Sequence, residues 1–214
     1  MDTLSSASMF GRGYVNNGCG IAAEYLTNEM RNTGLKSFEE GFKQNFHVNV
    51  KTYPSIVSMK IDGTILKPGE EFAVITGSPT VEGAFKLIEI DSTWFKRYRK
   101  IEKLKKRDLS KTLIVFNTGL AKGKYKKLTD SLSRNNYINC AGFIYVIDKN
   151  SVAWSVNSAD KVLSYPVFNV VNRVMSSKPS FADINVVLEA VDNYKVSNVI
   201  GYLPGTSDSD SFVV

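Results

Sequence analysis

At 214 residues, 43% of them hydrophobic and 22% charged, the chain is long enough to bury a large core and too apolar for a disordered, collagen-like or coiled-coil protein. Its 27 basic and 21 acidic residues leave a net charge of +6. The single histidine, His47, excludes a two-histidine zinc site within the chain, and any Ser-His or Cys-His mechanism would have to run through it.

Residues Leu4 to Gly18 carry Gly11, Gly13, Gly18 and Asn16-Asn17, residue types that tolerate positive φ, and they read as a loop. Ala22, Ala23, Tyr25, Leu26 and Met30 then recur at three- and four-residue spacing, with Gly34 as a stop, which predicts a helix over about 20–33. From Phe46 the period falls to two: Phe46, Val48 and Val50 alternate with polar residues. Ile56 to Ile61, Phe72 to Ile75 and Ala84 to Ile90 read as further strands, punctuated by Asp62-Gly63 and Pro68-Gly69.

Between Lys96 and Lys127 thirteen basic residues meet only Glu102 and Asp108, a net of +11; the rest of the chain, fourteen basic against nineteen acidic, carries −5. Lys103, Lys105, Lys106, Arg107, Lys124, Lys126 and Lys127 are the candidates for a surface that binds phosphates or acidic partners. Within the same stretch Trp94, Tyr98, Ile101 and Leu104 fall at helical spacing, so an amphipathic helix with a solvated lysine face is the plainer reading. No aromatic RNA-binding motif or zinc-finger spacing supports a nucleic-acid binder.

Two buried-strand runs, Thr112–Phe116 and Ala141–Ile147, flank a helix marked by Tyr125, Leu128 and Leu132, and Val167–Val171 follows as another strand. Ser180 to Val191 fits either period. Ser180 and Asp183 look like a helix cap, whereas Ile184, Val186, Leu188 and Ala190 alternate as in a strand. Ser211–Val214 reads as a last strand. No stretch reaches the roughly 20 apolar residues of a membrane span, and Met1 to Ser6 lacks the features of a signal peptide. Cys19 and Cys140 match no metal or redox spacing and read as free thiols, unless the fold brings them together as a disulfide.

Three separated segments carry a resemblance. They are Met9-Phe10-Gly11-Arg12-Gly13-Tyr14 with Ala22-Ala23-Glu24-Tyr25-Leu26; Phe42-Lys43-Gln44-Asn45-Phe46-His47-Val48; and Asn198-Val199-Ile200-Gly201-Tyr202-Leu203-Pro204-Gly205. Together they resemble the N-terminal part of zinc exopeptidases of metallopeptidase family twenty-eight, relatives of aminopeptidase Y and glutamate carboxypeptidase, in versions with a protease-associated (PA-like) insert. Ser110–Val115, Asn139–Ile144 and Tyr165–Phe168 resemble core strands of that insert.

The resemblance implies an α+β protein in three parts. Residues 1–45 are the loop and helix of the peptidase domain, 46–195 a β-rich PA-like domain with a small α/β layer, and 196–214 the first two strands of a truncated peptidase sheet. It also tips 184–191 toward strand. Gly11, Arg12, Gly13, Asn198, Gly201, Pro204 and Gly205 become structural motif residues, with Arg12 expected to tie a tight turn to the catalytic half. The family's two zinc ions, held by histidines and carboxylates, belong to positions after Val214. No catalytic or metal residue is therefore assigned here, Asp208 and Asp210 being loop residues, and this chain alone is expected to be inactive. The full-length relative is expected to be an extracytoplasmic enzyme acting on peptides. The C-terminal strands or the 20–33 helix are expected to self-associate. A stand-alone PA-like binding module and a basic-surface nucleic-acid binder remain the alternatives.

Overall fold

In the computed structural model, residues 2–38, 41–91, 93–94, 98–117, 124–153, 162–175 and 178–205 are described, with the backbone alone at Tyr98, Lys124 and Leu128. The chain is mixed α+β and rich in strands. It divides into two compact units, one made of Met1–Thr52 with Ala190–Val214, the other of Tyr53–Glu189.

Among the described residues the second unit holds eight strands. They are β2 (Ser58–Ile61), β3 (Thr64–Leu66), β4 (Phe72–Val74), β5 (Val81–Glu89), β6 (Thr112–Asn117), β7 (Gly142–Ile147), β8 (Val167–Val171) and β9 (Phe181–Val186). One sheet joins them in the order β3-β2-β9-β5-β6-β7-β8-β4. β5 to β8 run parallel, and the outer pairs are antiparallel. Helix α2 (Tyr98–Lys105) lies in the crossover from β5 to β6, and α3 (Lys124–Arg134) in that from β6 to β7.

Alternation along the parallel strands builds two cores. Leu113 and Val115, Ile144 and Val146, and Phe168 and Val170 face one side, where Leu66 from β3 and Phe72 from β4 join them. Both edges of the sheet therefore contribute to one cluster, which requires the sheet to curl. Ile114, Phe116, Phe143 and Val167 face the other side, where Ile101 and Leu104 of α2 and Leu132 of α3 cover them. The continuous apolar runs of β6 and β7 follow from burial on both faces. Gly142 opens β7 where a Cβ would stand 2.4 Å from the Pro166 carbonyl oxygen, so only glycine lets β7 and β8 approach at this point.

The β2–β3 hairpin turns on Asp62 and Gly63, both at positive φ (47° and 85°). The Asp62 carboxylate accepts the backbone N–H groups of Ser180 and Phe181 (3.1 and 2.9 Å) and so fixes the start of β9. In β9 the ambiguous stretch resolves as strand: Ala182, Ile184 and Val186 are buried and alternate with exposed neighbours. The alternation ends there. Leu188 donates its N–H to Thr80 Oγ1 (3.0 Å), and a new strand, β10 (Glu189–Val199), begins.

In the first unit α1 (Gly18–Asn32) buries Ala22, Ala23 and Thr27 and closes on Gly34, which takes the left-handed conformation (φ 79°). β1 (Lys43–Thr52) and β10 form a two-stranded ribbon. The pairs Gln44 with Asn198, Asn45 with Ser197 and Asn49 with Asn193 show that they run antiparallel.

Along β1, Val50 is buried, Val48 half-buried and Phe46 exposed. Two expectations need correction. Ile56 precedes β2 and is 83% exposed. The strand expected to start near Asn198 instead ends at Val199; beyond it Ile200 donates its N–H to the Phe42 carbonyl (2.8 Å) and Tyr202 bridges Lys36. The strand expected at 211–214 lies outside the described residues.

Candidate functional site

The N-terminal turn is more strained than its glycines predict. Phe10, Gly11 and Arg12 are consecutive left-handed residues (φ 45°, 64° and 56°), while Gly13 is extended at φ −89°. For Phe10 and Arg12 this conformation costs about 1–2 kcal/mol each. Contact with α1 holds it: the Gly13 carbonyl accepts the Cys19 N–H (2.8 Å). A Cβ at Gly18 would stand 2.6 Å from the Met9 carbonyl oxygen. Arg12 is exposed, and it makes no hydrogen bond or ion pair among the described residues. Tyr194 of β10 latches onto the same corner. Its hydroxyl donates to the Tyr14 carbonyl (3.1 Å), and its ring meets the Tyr14 ring edge-on at 5.2 Å. Burial, with the Cys19 thiol beside it, pushes the Tyr194 phenol up to about 12.

The other motif residues gather at the far end of the ribbon. Asn198 donates to the Gln44 side chain, and Gly201 sits where a Cβ would press on Met30 Sδ (3.1 Å) and the Phe42 ring. Pro204 and Gly205 are exposed and follow the bridge of Tyr202 to Lys36. Beside them Phe38, Phe42, Lys43, Gln44 and Ile200 line an open groove of about 280 Å³. Lys43 is engaged by Glu24 of α1. His47 lies exposed on β1.

In the second unit, Glu89, Asn117 and Asn172 stand at the carboxyl ends of β5, β6 and β8. With Val115, Val146 and Met175 they line a hollow of about 130 Å³. The carboxyl ends of parallel strands are where such sheets bind ligands. Burial, and secondarily Asp91, raises the Glu89 carboxyl above its ordinary range. Sequence reading missed this hollow. Its one signal is a polar residue closing each buried run: Asn117 after Phe116 and Asn172 after Val171.

Among the basic candidates Lys103, Lys105, Lys106, Arg107, Lys126 and Lys127 are all exposed, and the side chain of Lys124 lies outside the described residues. Lys105 Nζ stands 3.7 Å over the Tyr137 ring, and Lys126 pairs with Asp130 (3.1 Å). Cys19 and Cys140 are both free. Burial pushes the Cys140 thiol up to about 11, which makes it a poor nucleophile. No group of three or more His, Cys, Asp or Glu among the described residues is placed to hold a metal. These residues therefore do not fit a zinc pair.

No protein-family model and no curated protein matches this chain. Solved structures do match. A peptidase M28 precursor from Shewanella amazonensis SB2B covers 89% of this chain and 46% of its own, at 10% identity and TM-score 0.54. BSAP, a zinc aminopeptidase from Bacillus subtilis, covers 89% and 42%, at 14% identity and TM-score 0.54. An aminopeptidase from Aneurinibacillus sp. strain AM-1 covers 87% and 43%, at 14% identity and TM-score 0.48. The chain thus spans less than half the length of each. At such identities the likeness is one of fold, and the fold is peptidase-related.

Proposed function

We propose that this chain is the non-catalytic N-terminal part of an extracytoplasmic zinc exopeptidase. We take its PA-like domain, expected over 46–195, to be the narrower unit Tyr53–Glu189, which flanks the cleft and helps admit peptides. The chain topology carries this reading. The ribbon strands β1 and β10 come from distant parts of the sequence, and a domain with its own two cores is inserted between them. That is the arrangement expected when a peptidase sheet is interrupted by an insert, and the fold-level likeness to a peptidase M28 precursor and to a zinc aminopeptidase supports it. In this reading the zinc ligands come from residues outside these 214, and the ribbon edges and the exposed Leu203 are covered by the rest of the sheet.

Release of p-nitroaniline from aminoacyl substrates, with zinc present, tests it. The chain alone should give no turnover and should self-associate in light scattering. A chain extended through the next His-x-Asp and the remaining peptidase residues encoded after Val214 should turn over and lose that self-association. Zinc-dependent turnover by the 214 residues alone would overturn the reading. A gene that stops at Val214 would favour the stand-alone PA-like module, which the self-contained cores of Tyr53–Glu189 also suit.

A further inference from the structure

The largest charge asymmetry in the molecule has no role in that reading. α2 and α3 both lay their apolar sides on the same core, so their outer sides share one face of the second unit. Tyr137, just after α3, ties the two together. Its hydroxyl donates to Glu102 of α2 (3.3 Å), and its ring underlies Lys105.

From this face project Arg99, Lys103, Lys106, Arg107, Lys127 and Arg134. All six are exposed, and none of their side chains has an ion pair or hydrogen-bonded partner among the described residues. The acids within these segments are already engaged. Glu102 accepts from Tyr137, Asp108 accepts the Ser110 backbone N–H (3.0 Å), and Asp130 pairs with Lys126. The positive charge of the face is therefore left without internal compensation. On α3, Lys127, Ser131 and Arg134 fall on one side at helical spacing and, with Asp130 and with Asn135 just past the helix, line a polar hollow of about 300 Å³. Two cations, a hydroxyl and an amide around one hollow are donors suited to a phosphate.

The composition of this face favours a bilayer over a nucleic acid. The rings of Trp94 and Tyr137 stand beneath Lys100 (5.3 Å) and Lys105, with Tyr137 still 41% exposed. Amphipathic rings beside clustered cations are the composition of a membrane–water interface.

We propose that the α2–α3 face docks on a bilayer surface carrying anionic phospholipid, one headgroup phosphate being seated between Lys127 and Arg134. Sedimentation with large vesicles tests it. Binding to phosphatidylglycerol–phosphatidylcholine vesicles at low salt should exceed binding to pure phosphatidylcholine by about tenfold or more and weaken steeply as salt is added. K103E/K106E/R107E and, separately, K127Q/R134Q should each lose most of that excess. K60E/K86E, which changes exposed lysines elsewhere in the same unit, should keep it. Circular dichroism checks that each variant is folded. Equal binding to both vesicle types, equal loss in K60E/K86E, or displacement from vesicles by duplex DNA at matched phosphate would each overturn the proposal.

Discussion

Strands β6, β7 and β8 and the β1–β10 ribbon draw on the same β-forming residue types, yet they are stabilised in different ways. In the parallel layer each strand is flanked on both sides by another and covered on both faces. Leu113, Ile114, Phe116, Phe143, Ile144 and Phe168 have essentially no exposed surface. Among the described residues each ribbon strand has one partner, and only Val50 of β1 is buried. Specific side-chain hydrogen bonds hold it instead: Gln44 with Asn198, Asn45 with Ser197, and Asn49 with the Asn193 backbone. Residues of a two-sided core resist substitution through packing, while those of a two-stranded ribbon depend on a few polar contacts and on whatever covers the rest.

The sharpest break of that contrast is a matched truncation of two phenylalanines. Phe143 stacks on Phe116 at 5.7 Å and meets Tyr165 edge-on at 5.2 Å, with no exposed surface. Phe143→Ala should cost about 3–5 kcal/mol in denaturant unfolding. Phe46 on β1 is 41% exposed, and Phe46→Ala should stay within about 0.5–1 kcal/mol. Similar losses at the two sites would show that the ribbon is packed as tightly as the parallel layer, and the contrast would fail.

The same contrast explains what could be read from the residues. Thr112–Phe116 and Ala141–Ile147 announced themselves because burial on both faces leaves an unbroken apolar run. β9 was ambiguous because Ser180 mimics a helix cap. Pairing with β2 on one side and β5 on the other decides for strand, and such long-range partners are not visible in a local window. The ribbon was half legible. Phe46 and Val48 have the period of a strand, but the period does not say that Phe46 stays exposed and Val48 is only half-buried. The left-handed Phe10 and Arg12 were not legible, since glycine marks a permitted turn and does not reveal that its neighbours share it. The hollow at Glu89, Asn117 and Asn172 is assembled from three strand ends that span 83 positions of the chain, so only the sheet order brings them together.

A smaller effect probes how the ribbon is anchored within its own unit. Tyr194→Phe removes the hydroxyl that donates to the Tyr14 carbonyl and keeps the ring against Tyr14. The expected loss is about 1 kcal/mol, the net worth of one hydrogen bond. It should appear as faster amide exchange at Cys19 and in the neighbouring strand β10. Exchange in β6 and β7 should stay unchanged if the two units open independently. Uniform acceleration over both units would mean that the ribbon and the parallel layer unfold as one body.

The last test places a titrating group at the mouth of the packed layer. The Glu89 carboxyl has a raised pKa, chiefly because burial penalises its charged form and secondarily because Asp91 lies near. A group whose folded pKa exceeds its unfolded value binds its proton more tightly in the native state. The native state therefore loses stability as pH rises from the ordinary carboxylate range through the raised folded value. Asp91 itself is lowered, first by the hydrogen bond from the Thr93 hydroxyl, and works in the opposite direction. The comparison must therefore be made as a difference between wild type and Glu89→Gln, which keeps the shape and removes the titration. Glu89→Gln should be the more stable of the two at neutral pH, and that advantage should shrink toward the most acidic pH at which both remain folded. A difference that stays constant with pH would mean that the Glu89 carboxylate is as well solvated as an exposed ribbon side chain, and the hollow at the strand ends would then be open water.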